Sequence, residues 1–571
     1  MRGVVTTVQT EQSRQIVRQL QERPEARVLV VGGGINGVAT FRDLALQGVD
    51  VTLVERGDYC QGASGASSHM IHGGIRYLEN GEFRLVHESV QERNGLLAVA
   101  AHHVKPLRTT IPIFSTFSGI LSAPMRFLTH RSGKPTERGA VLIKLGLVMY
   151  DAFAGVKRNT PWHTFVGRKA SLEQLPAMRD DVKYTATYFD ASVHNPERLT
   201  LDVLRDGLAA NPQARAANYV SLVGNDGGKA TLRDELTGET FEFAADVVVN
   251  ATGAWTDLTN QDMGAPTTYM GGTKGSHIVL DHPELHAACA GREIFFEHTD
   301  GRIVLIYPLG DRVLVGTTDV DADMSQDAVC TEEEVDYFFD LVGHVFPGIA
   351  VDRSQIVYRF SGVRPLPRHD DTAPGFVSRD YRIERREGGN VVFSLVGGKW
   401  TTFRAVAEDL TNQVLEQIGL TRSVETAGLA IGGGRNFPTT EAGRRAWVSA
   451  RTGSAGAERL DVLLERYGTR ADEVLPYLGG PDDAPLAGLG NPNELTTGEL
   501  TYMVEREQIG HIIDVLVRRT ALAFRGLVTH ELVVQLGDEL AARLGWDADR
   551  RAAEIRGCES VLHDLHQVEL V

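Results

Sequence analysis

The stretch from Arg27 to Glu55 limits this chain more than any other. It reads Arg-Val-Leu-Val-Val-Gly-Gly-Gly-Ile-Asn-Gly-Val-Ala, then a helical run, then Val-Asp-Val-Thr-Leu-Val-Glu. That is a strand, a glycine turn, a helix and a second strand closed by a carboxylate. Gly32, Gly34 and Gly37 fill the three positions of G-x-G-x-x-G. The first permits the tight turn, the second lets backbone approach a pyrophosphate, and the third lets helix and strand pack closely. A helix starting near Ile35 aims its free N–H groups at that anion. Glu55 is placed to accept from a ribose hydroxyl and disfavours a 2′-phosphate. The segment predicts a dinucleotide site.

The 571 residues suffice for two or three domains, and 42% hydrophobic with 23% charged residues describes a soluble globular chain. A formal charge of −17 argues against nucleic acid as a partner, without excluding a local basic pocket. Cys60, Cys289, Cys330 and Cys558 are far apart and show no metal-ligand spacing, which suits a reduced cytoplasmic protein without structural disulfides. The polar first twenty-six residues lack the apolar core of a signal peptide. Thr109 to Met125 is uncharged but too short and broken to span a bilayer. Ala140 to Val156 is apolar, interrupted by Lys144 and Asp151, and suits core packing or a membrane-facing surface.

Helical spacing is expected from Gly81 to about Val104, with Phe83, Val86, Val90 and Leu97 on the core face. Short strands are expected at Tyr184 to Phe189, Asp246 to Asn250, His277 to Leu280, Arg302 to Tyr307 and Val391 to Val396, and a helix from about Asn195. The expected fold is α/β: a Rossmann-type nucleotide-binding fold, an α+β substrate domain and a helical C-terminal domain. Its expected boundaries are 27–104, 166–265 and 355–425 for the nucleotide-binding parts, 105–165 for an insertion of the substrate domain, 266–354 for the substrate domain itself, and 426–571 for the helical part.

Three further clusters carry chemistry. Ser67-Ser68-His69-Met70-Ile71-His72-Gly73-Gly74-Ile75-Arg76-Tyr77 combines hydroxyls with glycines that let backbone approach a flat ring or phosphate. Ser361-Gly362-Val363-Arg364-Pro365 is followed by Ser378-Arg379-Asp380-Tyr381. Gly397-Gly398-Lys399-Trp400-Thr401-Thr402 follows a strand and opens a helix toward Leu410, bringing a helix N-terminus and an ammonium together where an anionic ring edge would sit.

Taken in order, these clusters with Asn250-Ala251-Thr252-Gly253-Ala254-Trp255, Lys274-Gly275-Ser276-His277, Gly316-Thr317-Thr318-Asp319 and Arg518-Arg519-Thr520-Ala521-Leu522-Ala523-Phe524 resemble the FAD-dependent glycerol-3-phosphate dehydrogenase family, in its bacterial aerobic respiratory form. The resemblance runs from about Arg27 to Phe524; the His-Gly-Gly-x-Arg-Tyr and Gly-Val-Arg-Pro motifs are its more specific parts. It implies a fold of the glycine-oxidase and D-amino-acid-oxidase type and FAD as cofactor. It places Gly32, Gly34, Gly37, Glu55, Ser67, Ser68, Gly253, Trp255, Asp319, Gly362, Gly398, Lys399 and Thr401 along the cofactor, and His72, Arg76, Tyr77, Arg364, Arg379 and Lys399 around the substrate, with His277 a further active-site candidate. His69 stands where the family commonly has Lys or Arg, which alters the expected local charge, and Ile75 where Leu is usual.

The implied reaction is oxidation of sn-glycerol 3-phosphate to dihydroxyacetone phosphate by hydride transfer to flavin N5. Arg76, Arg364 and Arg379 would grip the phosphate, His72 or His277 would take the hydroxyl proton, and Lys399 would stabilise the reduced ring or a developing oxyanion. The resemblance implies a membrane quinone as electron acceptor and peripheral attachment to the inner face of the cell membrane, and it allows a homodimer. The competing readings are an oxidase using O₂ on the same substrate, a flavin-binding protein without activity, and an NAD-dependent enzyme.

Overall fold

A computed structural model describes residues 14–78, 82–116, 139–154, 160–322, 324, 326–368 and 380–570, without the side chains at 76, 78 and 154. Arg379, the side chain of Arg76 and the second half of the Thr109 to Met125 stretch lie outside that description.

Two sheets organise the described residues. The first has the strand order Arg382–Arg386, Val391–Val396, Thr240–Asn250, Glu25–Val31, Val51–Val54, Arg215–Ala217, with a hairpin of Val220–Asp226 and Lys229–Asp234 beside Thr240–Asn250. Its centre is parallel: Glu25–Val31 pairs with Thr240–Asn250 on one side and Val51–Val54 on the other. Such strands are apolar on both faces because helices cover both. Val28, Leu29, Val30, Leu53, Val54 and Val249 are fully buried, as are Phe41 and Leu44 of the helix Ile35–Leu46 and Leu410 of the helix Phe403–Gln417.

The second sheet has the order Val320–Asp321, Met270–Leu280, Arg312–Gly316, Ile303–Leu309, Glu293–Glu297, Val104–Ile113, Tyr184–Val193, Met70–Ile71, with Ile356–Pro367 along Met270–Leu280 and Thr164–Gly167 along Tyr184–Val193. Val104–Ile113, read from sequence as the start of an insertion, lies in the interior of this sheet, paired with Tyr184–Val193 over ten residues and with Glu293–Glu297. Among the described strands the chain crosses between the sheets four times: it enters the second at Met70–Ile71 and again at Met270–Leu280, and returns to the first at Arg215–Ala217 and at Arg382–Arg386.

The helical C-terminal region packs on the second sheet. One apolar cluster unites Leu305, Leu314, Tyr358 and Phe360 of the sheet with Leu500, Ile512, Leu516, Leu536 and Leu562 of the helices. The same region is bolted to the first domain by charge: the Asp58 carboxylate accepts from Arg518 Nε at 2.6 Å and from Arg519 at 2.6 and 2.9 Å.

Candidate functional site

The glycine turn has the predicted geometry. Gly32 sits at φ 112°, a conformation that favours glycine. A Cβ there would stand 2.6 Å from Ala251 O, and one at Gly37 would stand 2.0 Å from Gly32 O, so turn, helix and neighbouring strand meet at backbone distance. Gly34 is the N-cap of Ile35–Leu46, and the Ile35 N–H donates to Ser64 Oγ at 3.0 Å. Glu55, at the end of its strand, accepts from Gly33 N–H at 2.6 Å and Gly57 N–H at 2.8 Å. Burial raises its pKa and these two backbone donors oppose the rise.

Beyond the turn lies a cavity of about 300 Å³ between the two sheets. It is lined by nine of the sequence candidates, Ser67, Ser68, His72, Tyr77, His277, Gly362, Arg364, Gly398 and Lys399. Gly32, Gly34, Gly37, Glu55, Gly253, Trp255, Asp319 and Thr401 lie outside that lining. Thr401 touches it indirectly, its Oγ1 donating to His72 O at 3.1 Å, while the Trp255 ring lies 4.8 Å from the Arg56 guanidinium, away from the lining.

Arg364 is on the edge strand Ile356–Pro367, where Thr273 faces it in register. Its guanidinium donates to Asp319 Oδ1 at 2.9 Å, Thr317 Oγ1 at 2.9 Å and Thr318 O at 3.0 Å. A Cβ on Gly275 would come within 2.1 Å of Arg364 Nη2, so glycine at 275 is what admits the guanidinium. Asp319 therefore sits as the partner of Arg364. His277 is buried, its Nε2 is 2.8 Å from Ser68 Oγ, and its ring stacks on Phe360 with centroids 4.8 Å apart. Burial, then the Arg364 cation, hold its pKa well below the usual 6.5. Its Nδ1 has no hydrogen-bond partner among the described residues. Lys399 places Nζ over the Tyr77 ring, 4.2 Å from its centre. The helix after it starts only at Phe403, and Thr402 makes no side-chain cap, so a turn separates the ammonium from the helix N-terminus.

His69 does not add charge. It is buried with its pKa pushed down to about 4, chiefly by desolvation, and its Nδ1 pairs with Val193 O at 3.0 Å. It packs on Phe524 of the C-terminal region at 5.3 Å between ring centres. Cys60 is likewise buried, with its thiol pKa raised by that burial.

Sequence reasoning missed Asn36, Thr317, Trp400 and Asp190, all on the cavity wall. Asn36, a polar residue inside the glycine motif, has a buried Oδ1 without a partner among the described residues, and Gly398, at φ 105°, passes so close that a Cβ would stand 2.9 Å from Asn36 Nδ2. Asp190 belongs to the strand Tyr184–Val193, which the apolar pattern ended at Phe189, just before it.

The donor set suits a dinucleotide with a flat ring. It offers helix N–H groups at a glycine turn, an acid at the next strand end, and glycine backbone at 398 pressed against the first helical turn. Comparison with known proteins agrees. A family profile described as FAD dependent oxidoreductase matches residues 27–412, and one described as the C-terminal domain of alpha-glycerophosphate oxidase matches residues 424–551. The chain is 31% identical over 570 residues to a glycerol-3-phosphate dehydrogenase of Synechocystis sp., covering 95% of each. It is 27% identical over 560 residues to the aerobic glycerol-3-phosphate dehydrogenase of Bacillus subtilis, covering 94% of each. It shares its fold with the glycerol-3-phosphate dehydrogenase of Bacillus halodurans complexed with FAD, at TM-score 0.74, 24% identity and 96% of both chains.

Proposed function

The chain belongs to the FAD-dependent glycerol-3-phosphate dehydrogenase family, and from that premise we propose that it oxidises sn-glycerol 3-phosphate to dihydroxyacetone phosphate and passes the electrons to a membrane quinone. The observation that carries this reading is the convergence of Arg364, Lys399, His72 and His277 on one cavity beside the glycine turn. When bound, FAD supplies the two-electron acceptor for the hydride of the carbinol carbon. Gly32, Gly34, Gly37 and Glu55 hold its adenosine and pyrophosphate half; Ser67, Ser68, Gly253, Trp255, Gly362, Gly398, Lys399 and Thr401 lie along the rest.

Arg364 binds the phosphate. Its two threonine contacts and its Asp319 partner fix the guanidinium in one orientation, which lowers the entropy lost on binding. Arg76 and Arg379 complete the clamp in this reading. His277 is the base: it is neutral at working pH and accepts the hydroxyl proton at Nε2, the nitrogen beside Ser68. Because the Arg364 cation depresses its pKa, an arriving phosphate dianion relieves part of that depression and makes the imidazole a better base when substrate is present. Lys399 stabilises negative charge developing near the ring edge.

Peripheral membrane attachment is supported by the helix Ala140–Ala154, where Val141, Leu145 and Val148 are exposed at helical spacing, with Trp162 at 64% exposure nearby. No described helix is long and apolar enough to cross a membrane. The second reading, an oxidase using O₂, is favoured by the C-terminal match to alpha-glycerophosphate oxidase. Anaerobic addition of glycerol 3-phosphate should bleach the flavin absorbance near about 450 nm; a yellow protein that keeps its colour would refute the substrate. Stopped-flow reoxidation should then be faster with a quinone analogue than with O₂, and the reverse order would select the oxidase.

A further inference from the structure

Arg364 and the carboxylate of the cavity come from opposite sides of the second sheet. Arg364 is on the edge strand Ile356–Pro367, and Asp190 is on Tyr184–Val193 near the other edge. Five strands lie between them, and Phe295 and Leu305 of those strands also line the cavity, so the sheet curls around it. Asp190 is the only carboxylate on the lining among the described residues.

Asp190 is 1% exposed and held firmly by one oxygen. Its Oδ1 accepts from Gly73 N–H at 2.9 Å, Arg93 Nη1 at 2.9 Å and Tyr150 OH at 2.5 Å. Those bonds anchor the turn that carries His72, and Arg93 balances the charge. They leave the second oxygen unused: Oδ2 is buried and has no partner among the described residues. A buried carboxylate oxygen without a donor is costly, and anchoring the turn does not require it to stay open.

We propose that Asp190 is a substrate-binding residue that accepts a hydrogen bond from the terminal hydroxyl of the polyol phosphate, at the end opposite the phosphate. This rests on the oxidation of glycerol 3-phosphate proposed above. A dipolar cavity with a guanidinium at one margin and an acceptor at the other selects a molecule that is anionic at one end and hydroxylated at the other. Asp190 thereby distinguishes a glycerol phosphate from its deoxy counterpart.

The test compares kcat/KM in the FAD-loaded parent protein for glycerol 3-phosphate and for two analogues, in which the terminal hydroxyl is replaced by hydrogen or by fluorine. Fluorine keeps the size and cannot donate. Both analogues should fall about 10- to 100-fold below glycerol 3-phosphate. In Asp190→Asn, whose Oδ1 still accepts from Gly73, the three compounds should converge to within about 3-fold, through loss on glycerol 3-phosphate alone. A parent that turns over the analogues as well as glycerol 3-phosphate overturns the proposal. So does a variant that loses equally on all three, because Asp190 then acts only through the turn. If Asp190→Asn does not fold with flavin, the analogue series in the parent decides. No turnover of glycerol 3-phosphate by the parent would instead refute the functional reading itself.

Discussion

Two buried polar regions of this protein are built to opposite rules. At the junction around Asp58, each formal charge has an opposite partner: Asp58 with Arg518 and Arg519, Asp514 with Arg518, and Glu507 with Arg198. Asn218 and Tyr219 add hydrogen bonds at 2.8 and 2.6 Å. At the cavity, Asn36 Oδ1, His277 Nδ1 and Asp190 Oδ2 are buried without partners among the described residues. A network in which the buried charges are paired fixes one arrangement of two domains. An open one costs stability, and is understandable where a ligand completes it. The junction is therefore expected to govern folding, and the cavity turnover.

The sharpest separation should come from Asp58→Ala, which takes the carboxylate from between two buried guanidiniums and leaves Arg518 with Asp514 alone. It should cost about 3–5 kcal/mol in urea unfolding while leaving KM for glycerol 3-phosphate nearly unchanged in the folded fraction. A loss below about 1 kcal/mol would place the junction among ordinary surface pairs. Burial pushes the Asp58 pKa up, but Arg519 and Arg518 outweigh it and hold the group far below its ordinary 3.8. Its contribution is thus full above that value and disappears only as pH falls through the depressed one.

His277→Asn should do the reverse. We expect kcat/KM to drop about 100-fold or more, with flavin content and melting temperature held close to the parent. Because the His277 pKa lies well below 6.5, the acid limb of kcat/KM in the parent should fall below that pH, and the histidine should be active in its neutral form across the neutral range. An acid limb centred at 6.5 or above would assign the base elsewhere, with His72 the next candidate.

The smallest effect should follow Arg364→Lys. The charge remains, but the fork that reaches Asp319 and Thr317 together is lost. KM for glycerol 3-phosphate should rise about 10-fold, with kcat changed less. An unchanged KM would detach the phosphate from Arg364.

Much of the nucleotide-binding half was readable because its signals are local. Gly32, Gly34, Gly37 and Glu55 fall within one β-α-β unit, and the φ of 112° at Gly32 shows the conformational need behind the motif. The helical C-terminal region was readable from its composition and spacing. The wall of the cavity was less so. His72, His277, Arg364 and Lys399 were found through motif resemblance, and their convergence needed the fold. Asp190 gave only a weak signal, one acid inside an apolar strand, and its partners Arg93 and Tyr150 lie 97 and 40 residues away in sequence. The size of the charge change expected at His69 was not readable, because full burial keeps that imidazole neutral, which no residue pattern reveals.

The amino-acid order alone settled the strand-turn-helix-strand unit, the acid that ends it and the glycines at close approaches, since each depends on backbone torsions within a few neighbouring residues. Tertiary pairing decided which side chains share a cavity. Asn36, Asp190, His277, Arg364 and Lys399 meet because the chain alternates between two sheets and one curls around the space between them, and the energy that joins them comes from pairings and packing between segments far apart in the sequence.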